Sequence, residues 1–308
     1  MGKLTLALIL SLVLLSLASD AGDRKNGFDV SNASIPIKEI LSGGPPRDGI
    51  PAIDNPRFVS ASAADFLRDE DRVIGLALGG SAKAYPIAIL NWHEIVNDSL
   101  AGEPVVITFC PLCGTGMVFR VPASMDFGVS GLLYNSDVLL YDRQSDSLWS
   151  QIKMEAVSGR RLGEKLELLP ASHTTWADWR KRHPNTRVLS TRTGVTRDYR
   201  QDPYAGYSRS RDLYFPVKNQ NRRYHPKEQV IGVRLAGNSW AWPFTELAKS
   251  RGPVSTQLNG ETVEVRYNAE SRSGGVFRED DSEIPSTVAY WFAWMSFYPD
   301  SEVFSAPK

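Results

Sequence analysis

Residues 104–119 read PVVITFCPLCGTGMVF and contain both cysteines of the chain. The apolar run before Cys110 and the run from Thr115 to Phe119 are each typical of a buried β-strand. The residues between the two runs, CPLCG, predict a tight turn that directs both sulfur atoms to one point. The stretch therefore predicts a strand–turn–strand unit that carries a pair of thiols.

The composition excludes several classes of protein. The chain has 308 residues, and its 35 basic and 35 acidic residues balance. A neutral chain without a basic stripe argues against nucleic-acid binding, and we expect no nucleotide cofactor. Two cysteines are too few for a disulfide framework. The length suffices for one large domain or two smaller ones.

The N-terminus predicts a secretory signal peptide over residues 1–21. Lys3 supplies a positive charge, residues 4–17 form an apolar run, and small residues follow around Ser19 and Ala21. The run is shorter than the roughly 20 residues that a membrane span needs, and an uncleaved N-terminal anchor is the alternative. No later segment has the length and apolar character of a membrane span. We expect an exported protein, periplasmic or extracellular.

A pattern of residues occurs twice in the chain. The matching segments, first copy before second, are 73–80 and 230–237, 85–86 and 242–243, 100–103 and 258–261, and 116–120 and 274–278. Each copy predicts a strand, a glycine-containing turn, a second strand, a helix opened by proline and a further hairpin. The sequence thus predicts a β-rich α+β protein, built from two related units by internal duplication, with an inserted β region between them.

These signals divide the chain into four parts. Glycine, proline and aspartate between the leader and the first copy are typical of an extended arm. The predicted parts are a signal peptide (residues 1–21), an extended N-terminal arm (22–50), a first unit with the CPLCG turn and the inserted β region (51–210), and a second, degenerate unit packed on the first (211–308).

The two copies differ at the residues that can do chemistry. Cys110 and Cys113 align with Asn268 and Ser271, and the pair His93 and Glu94 aligns with Ser250 and Arg251. If the scaffold alone required these side chains, the second copy would need them too. The difference therefore indicates a functional role in the first copy.

Paired thiols favour a metal site. Two cysteines three residues apart on a turn can chelate zinc or copper. Because the chain has no second such pair, further ligands must be histidine, carboxylate or methionine. His93 lies on the inward face of a predicted helix, and we expect it to be the third ligand. Glu94 is a further candidate ligand. The leading hypothesis is an extracytoplasmic metal-binding protein with ligands Cys110, Cys113, His93 and Glu94.

An enzyme that acts through its thiols is the first alternative. In a thiol–disulfide oxidoreductase or a thiolate-dependent catalyst, Cys110 would be the nucleophile and His93 the base. Arg143, with Asn135, would bind the substrate. Redox-active thiols normally open a helix, whose N-terminus lowers the pKa of the first thiol, whereas a strand is predicted here after the second cysteine. That prediction weakens this alternative without removing it.

A ligand-binding module with a structural disulfide is the second alternative. Polar and aromatic residues crowd both ends of a predicted β-hairpin and are candidates for binding a small molecule. These ligand-binding candidates are Asn135, Asp137, Asp142, Arg143 and Trp149. In this alternative a cleft lined by Trp92, Tyr134 and Trp149 would hold the ligand.

Five segments together are similar to a known family. They are Trp92-His93-Glu94, the turn from Cys110 to Gly116, Leu133 to Asp137, Tyr141-Asp142-Arg143, and Trp149-Ser150-Gln151. In these segments, and over roughly residues 45–300, the chain resembles the DUF3179 family of bacterial and archaeal proteins. The resemblance implies an exported protein, because similar proteins are often exported. It implies no activity, because the family is one of unknown function.

Overall fold

The computed structural model describes residues 23–307 of the chain. Of these residues, 41% lie in strands and 12% are helical. This composition confirms the prediction of a β-rich α+β protein. The predicted signal peptide, residues 1–21, lies outside the described residues. Within residues 23–307, no helix combines the length and the apolar character that crossing a membrane requires.

The described residues contain 24 strands and four short α-helices. The strands are β1 (Arg24–Lys25), β2 (Phe28–Asp29), β3 (Ile40–Ser42), β4 (Phe58–Ser60), β5 (Arg72–Leu78), β6 (Ser81–Pro86), β7 (Ile95–Leu100), β8 (Glu103–Cys110), β9 (Thr115–Arg120), β10 (Phe127–Tyr134), β11 (Asp137–Asp142), β12 (Leu148–Ser150), β13 (Glu155–Ser158), β14 (Glu167–Leu169), β15 (Ser172–Thr175), β16 (Arg187–Leu189), β17 (Gln229–Leu235), β18 (Asn238–Pro243), β19 (Val254–Leu258), β20 (Glu261–Asn268), β21 (Ser273–Arg278), β22 (Glu283–Ile284), β23 (Thr287–Tyr290) and β24 (Glu302–Val303). The helices are α1 (Ile87–His93), α2 (Trp176–Arg182), α3 (Phe244–Leu247) and α4 (Trp291–Phe297).

Four sheets carry most of these strands, beside the two-stranded pair of β1 and β2. One sheet has the order β13-β12-β11-β10-β3 and contains the β region that the sequence places between the two copies. A second has the order β24-β18-β17-β23-β9-β8-β7, with β14 paired to β9. The other two have the orders β15-β5-β6-β16-β4 and β19-β20-β21-β22.

The thiols lie at the end of one hairpin of the second sheet. Strands β8 and β9 are antiparallel, and their last pair joins Cys110 to Thr115. The predicted strand–turn–strand unit is therefore confirmed. One face of this hairpin packs beneath the sheet formed by β10 to β13, where Met117, Phe127 and Trp149 share a core with both cysteines. The thiols thus lie between two sheets.

The same order of elements occurs twice in the described chain. The elements β5, β6, α1 and β7 to β9 correspond in order to β17, β18, α3 and β19 to β21. Strand β15 pairs with β5 as β23 pairs with β17, and β16 runs parallel to β6 as β24 does to β18. The two sets interlock, because β9 pairs with β23 and β21 lies beside β15.

Two tryptophans occupy corresponding places in the two sets. Trp179 in α2 packs on Gly75 of β5, and Trp294 in α4 packs on Gly232 of β17. A side chain at either glycine would overlap the indole ring. Each indole nitrogen donates a hydrogen bond of 2.9 Å to a hydroxyl seven residues later in the chain. This likeness extends beyond the segments that match in sequence, and the duplication itself stays a prediction.

The predicted N-terminal arm takes part in the sheet structure. Strand β3 is the edge strand beside β10, with Leu41 opposite Leu133, and the side chains of Phe28 and Ile40 are buried. Residues 23–50 therefore pack against the inserted β region. The boundaries proposed at residues 50 and 210 stay predictions.

Candidate functional site

Two hairpin turns meet at the thiols. One is the CPLCG turn between β8 and β9, and the other joins β10 to β11 through Asn135 and Ser136. These two residues have φ angles of 51° and 66°, which a two-residue hairpin turn of type I′ requires. The backbone oxygen of Ser136 accepts hydrogen bonds from both thiols, at 3.7 Å from Cys110 Sγ and 3.3 Å from Cys113 Sγ.

Asp137 completes a group of three potential metal ligands. The sulfur atoms of Cys110 and Cys113 and a carboxylate oxygen of Asp137 all lie within 4.8 Å of one another, and all three residues are buried. Asp137 Oδ2 accepts a hydrogen bond of 3.0 Å from the backbone nitrogen of Ile152. Asp137 Oδ1 is buried and has no hydrogen-bond partner. The cysteines are free thiols, not a disulfide.

Burial shifts the acid–base equilibria of this group. It raises the pKa of both thiols above the ordinary value for cysteine and raises the pKa of Asp137 to about 7. Burial, with the neighbouring Asp137 as a second cause, raises the pKa of Glu94 to about 8. No basic side chain is among the main causes of the pKa shifts of these four residues. The site is therefore a dry cluster of acidic groups, in which burial disfavours each charged form and the charge of Asp137 further disfavours those of Glu94 and both thiols.

Glu94 follows α1 directly and lies outside the group of three ligands, although its charge interacts with those of Asp137 and Cys110. It has a φ of 58°, an unusual conformation for a residue with a side chain, and its backbone nitrogen donates to Leu90 O. Its backbone oxygen accepts a hydrogen bond of 2.7 Å from the nitrogen of Phe109 in β8. The helix end is thus fixed to the strand that leads to Cys110.

His93 does not join the thiols, which corrects the expectation that its ring converges with them. The ring is fully buried, as the helical position predicts, but both nitrogens have other partners. Nδ1 lies 2.7 Å from the backbone oxygen of Pro51, and Nε2 lies 2.7 Å from the hydroxyl of Tyr199. Because each nitrogen already has a partner, the ring braces α1 against two loops.

Other buried polar atoms near the thiols also lack partners. Ser136 Oγ and Gln151 Oε1 are fully buried and have no hydrogen-bond partner. The amide nitrogen of Gln151 donates to Thr108 Oγ1 at 2.7 Å and to Thr115 O at 3.4 Å, which places this side chain against the thiol hairpin. Unsatisfied buried polar atoms are rare in folded proteins and often mark a missing ion or water.

Three tyrosines that the sequence analysis did not select surround the site. Burial raises the pKa of Tyr207, and it raises the pKa of Tyr290 to about 12. The nearby thiols are a further cause of both shifts. Burial also raises the pKa of Tyr204, with Glu94 and Cys110 as further causes. The hydroxyl of Tyr207 is buried without a partner. Tyr204 and Tyr207 lie in a segment without repeating pattern, so periodicity gave no signal for them.

Tyr290 is placed by the thiol turn itself. Its backbone nitrogen donates a hydrogen bond of 2.8 Å to Cys113 O. Its ring packs on Gly114, which has a φ of 59°, and a side chain at that position would overlap the ring. The glycine is needed here for both its conformation and its lack of a side chain.

Four of the five predicted ligand-binding residues make contacts within the local structure, and ligand binding by them stays a prediction. Asp142 accepts hydrogen bonds from Ser145 and, at 2.9 Å, from the indole nitrogen of Trp149. Arg143 pairs with Asp54 at 2.7 Å, and Asn135 Oδ1 accepts a hydrogen bond of 2.9 Å from the nitrogen of Lys218. Of the five, only Asp137 lies in the group with the thiols.

The predicted aromatic cleft is not gathered in one place. Trp149 is buried and packs on Phe127, whereas Tyr134 packs on Phe297. Trp92 donates a hydrogen bond of 3.1 Å to the backbone oxygen of Gln201. Five cavities of 440–640 Å3 lie at the described surface, and none of these five is lined by these three residues or by the thiols.

A comparison with known families places this site in context. A family model described as a protein of unknown function, DUF3179, matches residues 47–281. The chain belongs to the DUF3179 family. No curated protein and no solved structure matched it. The DUF3179 match contains both cysteines, Asp137 and Glu94, whereas Tyr290 lies beyond its end.

Proposed function

We propose that the protein is an exported metal-binding protein in which Cys110, Cys113 and Asp137 hold one zinc ion. The observation that carries this proposal is the buried group itself. Three ligand atoms from two hairpin turns lie within 4.8 Å of one another, and Asp137 Oδ1 has no other partner. A zinc ion bonded at about 2.0–2.3 Å to each atom would fit between them after a small contraction.

The electrostatics support a cation at this position. Four acidic side chains are buried in this region, and burial raises the pKa of each. Glu94 lies outside the group of three ligands, but its charge interacts with those of Asp137 and Cys110. Without a cation, burial favours the protonated form of each group, and the charge of Asp137 further disfavours the charged forms of Glu94 and the two thiols. A divalent cation displaces the protons and neutralises the charge that remains. We propose Glu94 as the fourth donor, since structural zinc normally has four ligands.

The donor set favours zinc over copper. Thiolates alone suit Cu(I), whereas a mixture of thiolate and carboxylate oxygen suits zinc. Structural zinc sites are closed and catalytic ones keep a position open to solvent. Cys113 and Asp137 are fully buried, so the proposed zinc is structural and clamps two turns together.

A redox role has less support. A reactive thiol needs a lowered pKa and some exposure, but burial raises the pKa of both thiols. A strand, β9, follows the second cysteine in place of a helix. Bound zinc would also protect the two thiols from oxidation outside the cytoplasm, where free pairs oxidise. Export is part of the proposal and rests on residues 1–21.

We infer that the two interlocked sets of elements arose by duplication. Support comes from their shared order and pairing, and from Trp179 and Trp294 packing on corresponding glycines. The turn that corresponds to CPLCG in the second set contains Asn268 and Ser271 in place of the cysteines. The metal site would then be a property of the first set alone.

Metal analysis of purified protein tests the proposal. We expect about one zinc ion per chain in the wild-type protein, and zinc at background level in Cys110→Ser. Ser271→Ala is the matched control, because it changes the corresponding turn of the second set, and it should keep its zinc. A wild-type protein that is folded, with reduced thiols, yet binds no zinc when one equivalent is added would end the proposal.

A further inference from the structure

A long irregular segment carries concentrated positive charge in a chain that is neutral overall. Residues 191–227 contain no α-helix or strand and have three times as many basic as acidic residues. The basic residues are Arg192, Arg197, Arg200, Arg209, Arg211, Lys218, Arg222, Arg223 and Lys227, and the acidic ones are Asp198, Asp202 and Asp212. Such an imbalance favours an anionic ligand or partner at this surface.

The second half of this segment encloses a cavity. Residues 211–216, 220–222, 224 and 226, together with Phe292 of α4, line a space of about 640 Å3. This volume lies in the range of small-molecule sites, about 300–1,000 Å3. Arg211 and Arg222 line it, and neither side chain forms an ion pair or hydrogen bond with any of residues 23–307. Both guanidinium groups are therefore available to a ligand.

The cavity also presents a fixed aromatic surface. Tyr214 is 59% exposed, more than any other large apolar side chain in the described chain. Its ring lies 4.4 Å from the ring of Tyr207, which is buried and holds it in place. The ring of Tyr224, also in the cavity wall, packs edge-on against Trp291 at 4.9 Å. A rigid exposed ring can stack on a ligand with little loss of side-chain entropy.

We propose that this cavity binds an acidic saccharide, a pyranose ring that carries a carboxylate. Each guanidinium can bind a carboxylate through two parallel hydrogen bonds. The ring of Tyr214 matches the apolar face of a pyranose, and the exposed amide of Gln220, which has no partner in the described chain, can bond a hydroxyl. A neutral sugar would leave both arginines unmatched, and a small inorganic anion would leave the aromatic surface unmatched.

This proposal is independent of the zinc site, because no residue of the cavity is a proposed metal ligand. Isothermal titration calorimetry of the wild-type protein with trigalacturonate tests it. We expect saturable binding of trigalacturonate, and much weaker binding of both its methyl ester and citrate. The ester keeps the sugar but removes the charge, and citrate keeps the charge but lacks the ring. No binding of trigalacturonate, or equal binding of either control ligand, would overturn the proposal.

Variants then locate the site. Arg211→Gln and Arg222→Gln should each weaken binding about tenfold, because a hydrogen bond to a charged group is lost. Tyr214→Ala should weaken it about fivefold through the loss of stacking. Arg200→Gln is the control, since this side chain is 91% exposed, pairs with Asp198 and lies outside the cavity. Equal weakening by Arg200→Gln would mean that only general charge attracts the ligand, and would also overturn the proposal.

Discussion

The sulfur of Cys113 lies 3.3 Å from the backbone oxygen of Ser136, although the two residues lie in the turns of hairpins from different sheets. This contact brings the turn of the β8–β9 hairpin against the turn of the β10–β11 hairpin. Asp137 follows Ser136 directly, so the same contact brings its carboxylate to the thiols. The proposed metal centre is therefore a junction between the second sheet and the inserted β region.

The two buried aspartates of this region should behave differently when changed to asparagine. Asp137→Asn should lower zinc affinity at least about tenfold, because a neutral amide is a poorer ligand than a carboxylate. Even substitution of a residue that only supports a metal ligand typically lowers metal affinity by this much. Asp142→Asn should lower thermal stability, since Asp142 holds Ser145 and Trp149, but leave zinc affinity unchanged. Competition with a chromogenic zinc chelator measures both. Equal zinc affinity in Asp137→Asn and the wild-type protein would exclude Asp137 as a ligand.

Glu94 should make the metal-free protein less stable as pH rises. Burial raises its pKa from an ordinary 4.5 to about 8 in the folded state. Between these two pKa values the folded protein holds a proton that the unfolded chain releases. The free energy of unfolding that protonated Glu94 contributes is therefore complete below pH 4.5 and is lost as pH rises towards 8. The slope for one such group reaches about 1.4 kcal/mol per pH unit.

Urea unfolding of chelator-treated protein between pH 5 and pH 8 measures this dependence. The free energy of unfolding should fall less steeply with rising pH in Glu94→Gln than in the wild-type protein. Asp137, whose pKa burial raises to about 7, should account for part of the decrease that remains in the variant. Added zinc should reduce the loss in the wild-type protein, because metal binding strengthens as its ligands deprotonate. Parallel curves for the two proteins would refute the assignment of the pH dependence to Glu94.

His93 should matter for stability and not for metal content. His93→Phe removes the hydrogen bonds to Pro51 O and the Tyr199 hydroxyl, and should lower the free energy of unfolding by about 2–3 kcal/mol. Tyr199→Phe removes the bond to His93 and also the hydrogen bond of 2.6 Å between the Tyr199 hydroxyl and Thr193 Oγ1, and should cost about 2 kcal/mol. Zinc stoichiometry should be that of the wild-type protein in both variants. A folded His93→Phe protein that has lost its zinc would restore His93 as a ligand.

The sequence predicted the local parts of the site well. The strand–turn–strand unit followed from two apolar runs around CPLCG, and the turn before Asp137 lies in a segment already selected for its polar residues. Hairpins and turns depend on neighbours in the chain, so local patterns suffice. The same reasoning placed His93 on the buried face of α1, where it does lie.

The meeting of distant segments could not be read from these patterns. Helical periodicity shows that His93 points inward but does not show which inward neighbour it meets, and Pro51 and Tyr199 are far from it in the chain. Asp137 joins the thiols because two sheets stack, which depends on packing of the whole core. Tyr204 and Tyr207 lie in an irregular segment, where neither a period of 3.6 nor one of 2 exists to select them.

Corresponding glycines of the two sets should respond alike to substitution. Gly75→Ala and Gly232→Ala each place a methyl group against a buried indole ring, and should each destabilise the protein by about 1–3 kcal/mol. Gly252→Ala is the control, because Gly252 has no atom close to the added methyl group and does not have a positive φ. Thermal unfolding measures all three. If only one of the two buried glycines were sensitive, the correspondence between the sets would fail.

X-ray absorption at the zinc edge tests the central claim most directly, because it identifies the atoms bound to the metal. For wild-type protein loaded with one equivalent of zinc, we predict two sulfur atoms at about 2.3 Å and two oxygen atoms at about 2.0–2.2 Å. Cys113→Ser, like Cys110→Ser, should keep zinc only at background level and give no sulfur shell. A shell of oxygen and nitrogen alone in the wild-type protein, or protein that takes up no zinc while its thiols are reduced, would contradict the account.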